Sequence, residues 1–149
     1  VARKAMLYHY ENEIPFYICF ADLNNLKPVN DNLGHDAGDR YLAAVAHALE
    51  EAAGADDIVS RYGGDEFLLM TAEDGIERVR AGIKNAQWAL KELSNSSEYP
   101  FERWVSYGIA DSGECRDMEE LMRRADDRMY ENKRRDKQER SGGKAAGGG

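Results

Sequence analysis

The chain has 149 residues, 42% hydrophobic and 32% charged, which is one globular domain's worth with enough apolar side chains for a core. Acidic residues outnumber basic ones by 28 to 20, for a net charge of -8. That argues against non-specific binding to nucleic acid through a basic face, but leaves room for a nucleotide held through metal ions, which bring their own positive charge. No apolar run is long enough to span a bilayer, and the start carries no signal-peptide pattern. The first residue is Val1 rather than Met, the pattern of a piece cut from a longer chain.

Residues 1–13 mix apolar and charged side chains and read as the end of a helix. Residues 16–20, Phe-Tyr-Ile-Cys-Phe, read as a buried strand that delivers Asp22 at its carboxyl end. Residues 24–38 are rich in Asn, Asp and Gly and suggest a short helical turn and a loop, with Pro28 tolerable only near the start of that turn. A helix is expected over 39–53, with Leu42, Val45, Ala46, Leu49 and Ala53 on one face and Gly54 as its stop. Two β-prone runs follow, 58–62 and 67–72, joined through Gly63-Gly64, whose glycines are expected to supply the backbone freedom of a tight hairpin turn.

Ile76, Val79, Ile83, Ala86, Leu90 and Leu93 alternate in steps of three and four, a helix ended by Asn95-Ser96-Ser97. Residues 104–110 read as a last strand. Asp117 with Glu120 has the spacing of a capping box, opening a helix whose stripe is Leu121, Met122, Ala125 and Met129. The domain is expected over 1–140, with 141–149 a flexible Gly-rich tail. Cys19 and Cys115 have no metal-ligand spacing and read as free, buried thiols of a reducing cytosol.

The stretch around which the rest is arranged is Arg61-Tyr62-Gly63-Gly64-Asp65-Glu66-Phe67. Two adjacent carboxylates at a hairpin tip repel each other, and a divalent cation removes that repulsion. Upstream lie Asp22-Leu23-Asn24-Asn25-Leu26-Lys27-Pro28-Val29-Asn30-Asp31, Gly34-His35 and Gly38-Asp39; downstream lie Ser106-Tyr107-Gly108-Ile109-Ala110, Ala125-Asp126, Met129-Tyr130 and Lys133. In this order and spacing, over about 16–137, the chain resembles the GGDEF family of diguanylate cyclases. The resemblance implies an α+β, palm-like nucleotidyl cyclase fold: a central, mostly antiparallel sheet flanked by helices, with the Gly-Gly hairpin beside the first strand. It implies that two GTP molecules condense to cyclic di-GMP and pyrophosphate, in a Mg²⁺ (or Mn²⁺) dependent reaction at a homodimer interface.

Roles follow from the resemblance residue by residue. Asp22, the Leu23 carbonyl, Asp65 and Glu66 would hold metal. Asp65 and Glu66 would also help activate the attacking hydroxyl, with the two duties not separable by sequence. Asn30 and Asp39 match guanine contacts, and Leu26 also falls among the GTP-binding positions. Lys27 matches a lysine near the phosphates. Lys133 matches the phosphate-contacting lysine of the last helix, and Lys137 stands where the family often has an arginine, keeping the charge without the bidentate fork, though both also fit a solvated basic face. His35 fits either loop support or nucleotide contact.

The chain departs from the family in three places. Asp57 stands where many relatives have the Asp of an inhibitory Arg-x-x-Asp, but the arginine position is Gly54, so weak or absent product inhibition is expected. Asn24 replaces an acidic residue, and the Asp-x-Leu-Thr-Gly segment usual upstream is missing. A sensor domain is expected upstream in the full-length protein, which could itself be membrane-anchored. This domain is expected to be cytoplasmic and to contact neither nucleic acid nor membrane. A catalytically silent domain that binds GTP or cyclic di-GMP and regulates a partner is the alternative.

Overall fold

The computed structural model describes the backbone of residues 2–95 and 104–148 and the side chains of 3–92 and 104–136. The chain runs α1 (Ala2–Glu11), β1 (Phe16–Asn24), α2 (Leu26–Leu33), α3 (His35–Ala52), β2 (Ile58–Arg61), β3 (Glu66–Ala72), α4 (Ile76–Asn95), β4 (Trp104–Asp111) and α5 (Met118–Gly148). The strands form one sheet in the order β2-β3-β1-β4, with every neighbouring pair antiparallel. This is the expected α+β sheet flanked by helices, with the hairpin next to the first strand.

Central β1 explains its own composition. Cys19, Ala21 and Leu23 enter one core with Tyr41 and Val45 of α3 and Val79, Ile83, Ala86 and Leu90 of α4. Phe16, Ile18 and Phe20 enter a second core with Met6 of α1 and Leu121, Ala125 and Met129 of α5. A strand buried on both faces must be apolar almost throughout, so it reads as a continuous run rather than an alternation. The strand extends to Asn24, past the expected end, so Asp22 lies inside it rather than beyond it. By strand alternation Asp22 shares the α5 face with Ile18 and Phe20.

Two helices differ from expectation. The segment read as a turn and loop forms α2, with Pro28 in its first turn, where the N–H groups have no intrahelical partner. Gly34 then turns the chain at φ 89, a conformation that favours glycine, and α3 starts directly at His35, four residues before 39. Sequence periodicity alone cannot register a one-residue break between helices. Tyr41 of α3 donates from its hydroxyl to Asn24 O at 2.7 Å and accepts from Trp104 N at 2.8 Å, tying the ends of β1 and β4 together.

At the head of α5, Asp117 Oδ1 accepts the Glu120 N–H at 2.8 Å, the first half of the expected box. Glu120 Oε2 reaches back one residue further than expected, to Arg116 N at 3.0 Å. Over the tail expected to be flexible at 141–149, the backbone instead continues α5 as far as Gly148, while the expected helix stop at Ser96-Ser97 lies outside the described residues. Cys19 is buried, but Cys115 is only half-buried, a correction to the pair of buried thiols. No helix among the described residues is long and apolar enough to cross a membrane.

Candidate functional site

Two strand positions, the hairpin tip and one helix build the site. Asp22 on β1 is paired across the ladder with Glu66, the first residue of β3. Asp65, just before β3, accepts the Leu23 N–H through its backbone oxygen at 2.8 Å, which fastens the hairpin tip to β1. Arg61 braces the tip from the other side, donating from Nε to Gly63 O at 3.2 Å and from Nη2 to Gly64 O at 2.8 Å. Sheet register therefore sets Asp22 opposite Glu66, and Asp65, just outside the ladder, lies close enough to act on both carboxylates.

Asp22 is 5% exposed. Its Oδ2 accepts from Lys133 Nζ of α5 at 2.7 Å, while Oδ1 is buried without a hydrogen-bond partner. Burial pushes the Asp22 carboxyl up; Lys133 pulls it down, and the Asp65 carboxylate adds to the rise. Glu66 is also pushed up, first by burial and then by Asp22, Asp126 and Asp65, against the pull of Lys133. Like charges gathered under partial burial favour their own protonation.

The glycines behave differently from expectation. Gly34 is the glycine with positive φ among the described residues; Gly63 and Gly64 have none, and a Cβ on either would meet nothing within 4 Å. Neither steric crowding nor a left-handed backbone requires glycine at the tip, which corrects the expected tight turn for both. What the pair leaves is open space beside the carboxylates.

The remaining candidates divide. Lys27, His35 and Asp39 are exposed on α2 and α3. Among the described residues no hydrogen bond or ion pair ties them to the acidic cluster. Asn30 is half-buried against α3, where a Cβ on Gly38 would land on its Oδ1, so glycine at 38 lets Asn30 sit there. Leu26 packs against the α3–α4 core. The Lys137 side chain lies outside the described residues.

Asp57 has a full set of partners: Gly54 N at 2.7 Å, Thr71 Oγ1 at 2.6 Å, and Arg78 Nε at 3.0 Å with Nη2 at 3.2 Å. Gly54 offers no guanidinium, but Arg78 of α4 does.

Sequence reasoning missed a polar strap beside the site. Asn24 Nδ2 donates to Ser106 Oγ at 3.1 Å, and Ser106 Oγ and Trp104 Nε1 both donate to Asp136 Oδ2, at 2.9 and 3.2 Å. Asp136 lies three residues after Lys133, so the strap holds the α5 face that carries the ammonium. That spacing was the available signal; the contact to β4 was not readable from it.

The chain matches the family described as diguanylate cyclase, GGDEF domain, over residues 2–139. It is 28% identical over 130 residues to the diguanylate cyclase DgcM of Escherichia coli (strain K12), covering 87% of this chain and 31% of that protein. It is 36% identical over 95 residues to the cyclic di-GMP phosphodiesterase PdeB of Shewanella oneidensis, covering 62% of this chain and 11% of that one. The chain thus spans about a third or less of the length of these curated relatives. Among solved structures, the GGDEF domain of TpbB (YfiN) from Pseudomonas aeruginosa superposes with a TM-score of 0.69 at 30% identity, covering 89% of this chain and 78% of that one.

Proposed function

The chain belongs to the GGDEF domain family, and from that membership we propose that it is a diguanylate cyclase domain condensing two GTP into cyclic di-GMP and pyrophosphate. The observation that carries the reading is the buried Asp22 carboxylate, with Oδ1 free of partners, directly across the ladder from Glu66 and beside Asp65. Among the described residues no three His, Cys, Asp or Glu side chains form a ready-made metal cage. Mg²⁺ does not need one, since it is usually held by one or two carboxylates completed by substrate phosphates and water. An orphaned buried carboxylate oxygen among hard oxygen donors fits that ion (or Mn²⁺). Asp22, the Leu23 carbonyl, Asp65 and Glu66 would hold it. When bound, it supplies charge stabilisation at the α-phosphate and a lowered pKa for an attacking hydroxyl.

The chain's own residues do the rest. Asp65 and Glu66, crowded by like charge, are suited to take up the proton of a 3′-hydroxyl. Asp39 can accept from guanine N1 and N2, donors that adenine does not offer as a pair, with Asn30, Leu26 and His35 lining the same nucleotide. Lys27, Lys133 and Lys137 supply positive charge to the phosphates. Each site takes one GTP, so two copies of the chain must face each other for each 3′-hydroxyl to reach the other nucleotide's α-phosphate.

Incubation with GTP and Mg²⁺ at high protein concentration, with nucleotides separated chromatographically, tests this. Cyclic di-GMP that vanishes in Glu66→Ala supports it. No product even after fusion to a dimerising coiled coil, with GTP still bound, selects the second reading. That reading is a silent nucleotide-binding module regulating a partner, and the likeness to a phosphodiesterase is the observation that favours it.

A further inference from the structure

We propose that Lys133 is the resident counter-cation of the acidic site, holding Asp22 until a metal–nucleotide complex displaces it, and that it thereby makes the site discriminate against bare metal ions. The inference rests on the nucleotidyl-transfer reading of the same site. Its basis is geometric. Lys133 Nζ lies 2.7 Å from Asp22 Oδ2, in a pair whose side chains are only 29% and 7% exposed. The pair uses one carboxylate oxygen and leaves the other buried with no donor, while the carboxyl also lies against that of Asp65. A purely structural ion pair this secluded is expected to satisfy both oxygens, because an unpaired buried acceptor is costly. A site that must later accept a second cation has a reason to leave one open.

The surrounding charges show what the ammonium does. Asp22, Asp65 and Glu66 crowd one another, with Asp126 beside Glu66, and Lys133 opposes them at both Asp22 and Glu66. A dication arriving at Asp22 meets that ammonium at carboxylate range, where the repulsion is twice that between two unit charges. A bare ion must overcome it. A nucleotide-bound ion brings triphosphate oxygens that give the displaced ammonium a new partner.

The side chain can make that move without the helix. The strap from Asp136 to Trp104 and Ser106 fixes the backbone of α5 next door. Lysine's flexible stem carries a point charge with no planar fork to unlock, so it releases more readily than arginine would.

The test reads Mn²⁺ binding to the 149-residue chain by the electron paramagnetic resonance signal of the free ion. Without nucleotide, Lys133→Met should bind Mn²⁺ at least about tenfold tighter than wild type, the scale of the dication–ammonium repulsion it removes. With a non-hydrolysable GTP analogue the sign should reverse, the variant binding the Mn²⁺–nucleotide complex more weakly. Lys133→Gln, which keeps the stem and a donor but not the charge, should shift both affinities in the same directions and guards against a folding defect in the first variant. Asp22→Asn combined with Lys133→Met should abolish the gain. Mn²⁺ affinity that is unchanged or weaker in both folded single variants overturns the inference. The Mn²⁺ arm needs no turnover, so a chain that makes no cyclic di-GMP can still pass it. A chain that makes product but shows no gain sinks this inference alone.

Discussion

Glu66 occupies a position that costs stability. Burial and the carboxylates of Asp22, Asp126 and Asp65 raise its pKa above the usual carboxylate value. A carboxyl with a raised folded-state pKa contributes stability that is present below its unfolded pKa and lost as pH rises through its folded pKa. Glu66→Gln should therefore stabilise the metal-free domain at pH 7 by a few tenths to about 1 kcal/mol, the range of a like-charge cross-strand pair. The gain should close near pH 4, where the wild-type carboxyl is also neutral. Urea unfolding in chelator at the two pH values checks this, and a variant less stable at pH 7 would refute it. Gly64→Ala, with no positive φ and no neighbour for its Cβ, should leave unfolding within about 0.5 kcal/mol of wild type. A larger loss in the same assay would restore the tight-turn explanation. Asp22 was legible because it follows an apolar run, and Asp65 and Glu66 because they sit side by side between two β-prone runs. The partnership of Asp22 with Lys133, 111 residues away, was not, because no local period encodes it.

Between elements, Asp57 acts as a clasp. Its carboxylate joins the loop after α3, the end of β3 and the first turns of α4 through Gly54, Thr71 and Arg78. A Cβ at Gly54 would crowd Arg78 Nε, and one at Gly75 would overlap Thr71 Oγ1, so both glycines make room for the clasp. Burial alone would raise the Asp57 pKa, but hydrogen bonds from Arg78, Thr71 and the Gly54 N–H outweigh it and hold the carboxyl below 3.8. Asp57→Ala should cost about 2 kcal/mol at pH 7 by leaving a backbone N–H and a hydroxyl unpaired. A depressed folded-state pKa gives stability that is lost as pH falls through it, so the gap to wild type should hold down to about pH 4 and shrink below. Unfolding curves across that range decide it. The same occupied carboxylate argues against a cyclic di-GMP site here, and calorimetry should find no binding that Arg78→Ala alters. Sequence showed the missing arginine at Gly54 but not its replacement from α4, which depends on how α4 packs. Except for α2, which read as a turn and loop, the element order was legible because helical periods and apolar runs are local signals. The start of α3 was not, because Gly34 alone separates it from α2.

At the scale of the whole molecule, the sheet's two buried faces follow from the apolar run of β1, and α5 closes one of them over the acidic site. That closure depends on Gly108 of β4, where a Cβ would overlap the α5 backbone at Ala125 O and Met129 N. Gly108→Ala should destabilise by about 3 kcal/mol, as overpacking against backbone does, read by urea unfolding.

The proposed reaction asks one thing more of the molecule: two copies must meet, and each carries a net charge of -8. Repulsion between them reaches about 30 Å at 0.01 M salt and about 8 Å at 0.15 M. On the proposed reaction, activity per mole of chain should rise with protein concentration. At fixed low concentration it should also rise between those two salts, in step with dimer formation seen by sedimentation. Salt weakens GTP binding as well, so fusion to a dimerising coiled coil is the control. With association no longer limiting, the rise should disappear or invert. If activity of the unfused domain falls steadily with salt while sedimentation shows it monomeric throughout, charge repulsion does not govern the encounter. Turnover would then wait on a dimeriser outside the chain.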